Sequence, residues 1–325
     1  MSESTSRATS RRRVLRQTTA ILTSAAAQGL RPAQAQQAAA GPAYMFPGFT
    51  SAKIQTSGAV INAVSGGQGP PLLLLHGHPQ SHFEWHKIAP ALAKEFSVVA
   101  ADLRGYGDSS KPADGVNHAG YSKRAMALDQ VEVMRHFGFE KFAVVGHDRG
   151  GRVAHRMALD HADRVTKVTV LDIVPTHKIY HNVTKEFATA YYHWFFLIQP
   201  APFPETVVGR SLESFVRQGS STPEAYAEYL RCFRDPGTVH AACEDYRAAA
   251  SIDLDHDDAD LERKIGCPLL VLWAERGPMH RLFNVLEAWR ERASDVRGKP
   301  LPGGHFLPEE LPDQTLAELR AFLRA

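Results

Sequence analysis

Residues 144–151 read Val-Val-Gly-His-Asp-Arg-Gly-Gly, an apolar run delivered straight into Gly-x-Asp-x-Gly. A sharp strand-to-helix turn of this pattern lifts its central side chain above the edge of a sheet. The glycines are required because a Cβ at either flank would meet neighbouring backbone. Asp148, at the apex, is ionised at neutral pH and can attack an sp³ carbon without a base. An aspartate there can also simply cap the following helix, but the buried strand and paired glycines favour the nucleophile. Attack by a carboxylate leaves an ester on the chain, so a second step must supply water and a base. The expected base is His305, in Leu301-Pro302-Gly303-Gly304-His305-Phe306, a glycine-rich loop before the last helix. Among 16 histidines it stands out by position; His76, His82 and His86 are read as structural. Two acids compete to orient it: Asp172, ending one apolar run, and Glu275, following the next. Spacing alone leaves that choice even. The oxyanion of ester hydrolysis calls for two backbone donors. The expected pair is the N–H of Arg149 and that of His78, since Pro79 has none.

Such groups need a scaffold, and the chain spells one out. Short apolar runs at Leu72–Leu75, Phe96–Ala101, Phe142–Val145, Val165–Val174 and Pro268–Trp273 are bounded by Gly, Pro or polar residues, as strands buried on both faces are. Amphipathic stretches, among them Tyr121–Phe137 and Gly151–Asp160, lie between them. The alternation predicts a doubly wound, mostly parallel α/β sheet. It stops from about 175 to 256, where aromatics and helix formers crowd around Tyr191-Tyr192-His193-Trp194. That segment is read as a helical cap inserted between 49–174 and 257–325.

The N-terminus carries a different message. Ser10-Arg11-Arg12-Arg13-Val14-Leu15-Arg16 precedes a modestly apolar run and a small-x-small pattern at Ala33-Gln34-Ala35. Residues 1–35 therefore read as an export signal of twin-arginine type, with a periplasmic or secreted destination and a cytoplasmic one as the alternative. The run is too short and too rich in Ala, Thr and Ser to span a bilayer stably. Residues 36–48 read as a linker. Lys plus Arg number 37 against 35 Asp plus Glu, a balance that argues against a nucleic-acid partner. The three cysteines, Cys232, Cys243 and Cys267, make neither a disulfide framework nor a metal spacing. A bridge between Cys232 and Cys243 is left open, and no metal or cofactor is expected.

Taken together, His147-Asp148-Arg149-Gly150-Gly151-Arg152, Val170-Leu171-Asp172-Ile173-Val174-Pro175, His193-Trp194 and Asp245-Tyr246-Arg247-Ala248-Ala249-Ala250 resemble the fluoroacetate (haloacetate) dehalogenases of the α/β-hydrolase superfamily. The likeness runs from about residue 50 to the C-terminus. Haloalkane dehalogenases and epoxide hydrolases share Gly-x-Asp-x-Gly but usually carry Trp after the nucleophile, where this chain has Arg149. The resemblance implies that Arg149 and Arg152 clamp a substrate carboxylate and that Asp172 is the histidine's partner. It further implies that His193, Trp194 and Tyr246 form a halide pocket. Two guanidiniums suit a carboxylate chemically. The implied activity is hydrolytic dehalogenation of small 2-halo carboxylates. The rivals are an epoxide hydrolase, with Tyr191 or Tyr192 and Tyr246 as proton donors, and a catalytically silent binding protein. A homodimer is compatible with the sequence. His78 departs from the apolar residue found there in some members, and an export leader is unusual for the pattern.

Overall fold

The computed structural model describes residues 45–325; the leader read over 1–35 and most of the linker lie outside them. Eight strands form one sheet: β1 (Thr50–Gln55), β2 (Val60–Gly66), β3 (Pro71–Leu75), β4 (Ser97–Ala101), β5 (Phe142–His147), β6 (Val165–Leu171), β7 (Leu269–Ala274) and β8 (Val296–Leu301). Their spatial order is β1-β2-β4-β3-β5-β6-β7-β8. The pairs β1/β2 and β2/β4 are antiparallel and all others parallel. The five apolar runs expected to be strands are β3 to β7. The central β5 is buried along its whole length, as a strand covered by helices on both faces should be.

The three strands not foreseen are β1, β2 and β8. Two of them lie at the edges, where β1 (Thr-Ser-Ala-Lys-Ile-Gln) and β8 (Val-Arg-Gly-Lys-Pro-Leu) alternate exposure and carry charges, so neither makes an apolar run. The run expected over Val165–Val174 stops being a strand at Leu171, because Asp172 takes φ 50. Phe46, inside the stretch read as linker, is buried against Phe49, His82 and Phe83. The core therefore begins a few residues before 49.

Helix α2 (Asp148–Asp160) packs against β3, β5 and β6, and α1 (Lys123–His136) packs against α2. Between Thr176 and Ala259, eight helices make up the cap among the described residues, close to the expected 175–256. The two that matter most below are α3 (His193–Phe196) and α4 (Pro236–Ala249). The chain closes with α5 (Pro312–Arg324). Cys232 and Cys243 are both buried and free. No helix among the described residues is long and apolar enough to cross a membrane.

Candidate active site

Register explains how distant residues meet. Leu75 pairs with Gly146, and His147 with Leu171. The residues just past β3, β5 and β6, namely His76–His78, Asp148 and Asp172, therefore share one carboxyl edge. Ala274 of β7 pairs with Leu301 of β8, which brings the His305 loop to the same edge. Parallel α/β sheets bind ligands there. At the turn, a Cβ on Gly146 would run into the carbonyl oxygen of Gly150, and one on Gly150 into that of Leu75. Asp148 has φ 43 and Asp172 φ 50, conformations that L side chains adopt at a cost and that cluster at functional sites.

The choice between acids is resolved. His305 Nδ1 lies 2.5 Å from Asp172 Oδ2, and the other oxygen of Asp172 accepts the Ala274 N–H at 2.9 Å. Glu275 is exposed. A fully buried carboxylate with both oxygens engaged holds the ring through Nδ1 and leaves Nε2 without a protein partner among the described residues. The His305 ring borders the same cavity as Asp148.

Asp148 is buried, and the His78 N–H donates to its Oδ2 at 3.1 Å. The Arg149 N–H lies in the first turn of α2, where no intrahelical acceptor exists. Both backbone donors expected for an oxyanion are thus beside Asp148. Burial alone would raise the Asp148 carboxyl; His305, Arg152, Arg149 and His147 outweigh it and hold the group well below the usual carboxylate range. His147 contributes as a cation. Burial would lower its imidazole, but Glu84 Oε1, 2.7 Å from Nδ1, pushes it up to about 9. Its ring centre lies 4.6 Å from that of His305. His76, His82 and His86 are engaged with Gly77, Leu103, Asp102 and Phe83, in keeping with a structural role.

The arginines are more constrained than the sequence suggests. Arg149, fully buried, gives Nε and Nη2 to the two oxygens of Asp245 at 2.8 Å each, and Nη2 also to its carbonyl at 2.8 Å. Only Nη1 is left without a partner. Arg152 Nη1 donates to Val174 O at 3.0 Å and to Thr176 Oγ1 at 2.9 Å, and its Nε is unpartnered. Aromatic faces cover both cations: Tyr246 lies 4.2 Å from the Arg149 guanidinium and Trp194 4.6 Å from that of Arg152. Trp194 Nε1 is buried and unpartnered as well. His193 is neutral, because burial pushes its imidazole down to about 4.

A cavity of about 270 Å³ opens on Asp148, His305, His78, His193, Tyr191 and Phe215. Arg149, Arg152, Trp194 and Tyr246 are not on that wall. They form a contiguous buried cluster joined to it through Tyr246, whose ring lies 5.2 Å from His78 and 5.7 Å from His193. Of the tyrosines considered as proton donors, Tyr192 is 47% exposed, whereas Tyr191 and Tyr246 are buried. Sequence reasoning assigned no role to Asp245, Tyr106, Lys123 or Glu84. Tyr106 donates to Asp245 at 2.8 Å, and Lys123 is ion-paired with it. The available signal was a charged Asp-Tyr-Arg triplet inside a helix of small apolar residues. Groups able to ligate a metal cluster elsewhere, at His177, His181 and Asp258, and at Asp114, His240 and Glu244; none borders this cavity.

Comparison with known proteins agrees with this geometry. Residues 70–312 match the family model described as alpha/beta hydrolase fold, and the chain is an α/β hydrolase by sheet order, elbow and match alike. It is 48% identical over 289 residues to a fluoroacetate dehalogenase from Burkholderia sp, covering 86% of this chain and 95% of that one. A soluble epoxide hydrolase from Corynebacterium sp. is 34% identical, over 81% and 93%. Among solved structures, a candidate α/β hydrolase from Nostoc sp PCC 7120 superposes with a TM-score of 0.84 at 57% identity, covering 86% and 99%. Within the α/β hydrolases, the chain belongs to the haloacetate dehalogenase family.

Proposed function

We propose that this protein hydrolyses small 2-halo carboxylates, haloacetates being the simplest, to the 2-hydroxy acid and halide. The observation that carries the reading is the set of buried donors without partners, Arg149 Nη1, Arg152 Nε and Trp194 Nε1. An orphaned buried donor costs about 1–3 kcal/mol and a charged one more, so such a group of them favours an anionic ligand. A carboxylate would satisfy the guanidiniums, and a departing halide the indole N–H. The fluoroacetate dehalogenase relative supports the same substrate class.

In the first step an oxygen of Asp148 bonds to C2 while the C–halide electron pair leaves with the halide, inverting that carbon. The clamp holds C2 in line, an orientation effect that lowers the barrier substantially. In the second step Nε2 of His305 takes a proton from water, and the hydroxide oxygen attacks the carboxyl carbon of Asp148. Asp172 stabilises the imidazolium, and the N–H groups of His78 and Arg149 receive the oxyanion. Collapse expels the hydroxy acid, which takes the proton back from His305.

The enclosed Tyr191 and the epoxide hydrolase relative keep one second reading in view, ring-opening of an epoxide by the same Asp148. Halide release from fluoroacetate and chloroacetate, measured beside diol formation from a styrene-type epoxide, separates the two. Diol formation without halide release would overturn the proposal. We also propose export, on the arginine-bearing leader; N-terminal sequencing of the processed protein should find a start near residue 36, and an intact leader would refute it.

A further inference from the structure

The chemistry above uses only the backbone of His78. Its side chain stands at the cavity wall, parallel to His193 at 6.4 Å and edge-on to Phe215 at 5.6 Å. The same residue's N–H lies 3.1 Å from Asp148 Oδ2, and the ring shares the cavity wall with that carboxylate. Its tautomer follows from its neighbours. His78 Nδ1 lies 3.5 Å from the Tyr106 hydroxyl, a long contact. That hydroxyl has one proton and gives it to Asp245 at 2.8 Å, so it offers His78 lone pairs alone. That arrangement favours the tautomer with the proton on Nδ1, which makes Nε2 the acceptor. No described residue donates to Nε2. Burial, with His193 adding to it, keeps the ring neutral by pushing its imidazole down to about 3.

A neutral acceptor on that wall repels a leaving anion, which leaves the halide to the donors of Trp194 and Tyr246. It also presents an unmet lone pair to whatever else C2 carries. The cavity, at about 270 Å³, has room beyond a haloacetate, which has only five heavy atoms. We propose that His78 Nε2 is an acceptor subsite that selects 2-halo carboxylates bearing a hydroxyl, or another hydrogen-bond donor, on C3. The inference rests on the carboxylate clamp proposed above and adds the class of substituent the site prefers.

Calorimetry with unreactive analogues tests the subsite apart from turnover. The wild-type protein should bind 3-hydroxypropanoate about five- to tenfold more tightly than propanoate, the worth of one neutral hydrogen bond. His78→Phe should erase the preference, and His78→Gln, whose amide oxygen accepts, should keep most of it. The same ordering should appear in kcat/KM for 2-chloro-3-hydroxypropanoate over 2-chloropropanoate. Equal or undetectable binding of the two acids to the wild type, or a preference that survives His78→Phe, overturns the subsite. Chloroacetate hydrolysis is read separately. Hydrolysis without a hydroxyl preference would sink the subsite alone, whereas a binding preference without halide release would sink the nucleophile reading and leave the subsite standing.

Discussion

Asp245 is where packing and proposed substrate binding meet, so its removal is the most informative perturbation. Its carboxylate is completely buried and carries two 2.8 Å bonds from Arg149, one from the Tyr106 hydroxyl and an ion pair with Lys123. Burial would raise the group, but Arg149 and Lys123 outweigh it and hold the carboxyl well below the usual range. Asp245→Ala leaves a guanidinium buried without its counter-ion, whereas Lys123 still has Asp253 at 3.4 Å. Breaking one side of such a pair costs about 3–5 kcal/mol, a large share of a total that is typically about 5–15 kcal/mol. Urea titration followed by circular dichroism should show the midpoint falling with an unchanged slope. The double variant Arg149→Met/Asp245→Leu should regain much of that stability, since apolar replacement of a whole buried pair is often neutral or better. It should not regain binding of the acid. A loss below about 1 kcal/mol for Asp245→Ala, or a double variant no more stable than that single one, would refute the reasoning.

Asp172→Asn should slow halide-independent ester hydrolysis by roughly a thousandfold or more, because the imidazole loses its orienting carboxylate. Glu275→Gln, at an exposed position, should turn over normally in the same product assay. Arg152→Lys removes the unpartnered Nε and the planar fork, and should raise KM for chloroacetate by about ten- to a hundredfold with a smaller effect on kcat. The His147–Glu84 pair predicts a pH effect on stability. A raised imidazole stabilises the folded state fully below its unfolded value of 6.5 and loses that contribution as pH climbs through about 9. Wild-type stability should therefore fall between those limits more steeply than that of Glu84→Gln, and parallel profiles would contradict the assignment.

Much of this site was legible because its chemistry demands particular residues at particular places. Asp148 is announced by glycines that backbone contacts make irreplaceable, and His305 by a loop that only one strand end can supply. The interior strands were visible because burial on both faces leaves unbroken apolar runs. The edge strands β1 and β8 were not, since one face and one edge meet water and their composition is that of a loop. Asp172 and Glu275 could not be separated by spacing, because each ends a neighbouring parallel strand; what separates them is that the chain turns at Asp172 into the buried edge while Glu275 points to solvent. Asp245 escaped because its partner Arg149 lies 96 positions away in the chain. A buried ion pair between two elements leaves no local pattern.

The central claim is that the oxygen delivered to the product comes first from Asp148 and only later from water. A single turnover of chloroacetate with excess protein in ¹⁸O-enriched water, followed by mass spectrometry of the product and of the peptide containing residue 148, tests it directly. The account predicts unlabelled glycolate and ¹⁸O in the Asp148 carboxylate. Labelled glycolate with an unlabelled Asp148 would mean that water attacks the substrate itself, and would contradict it.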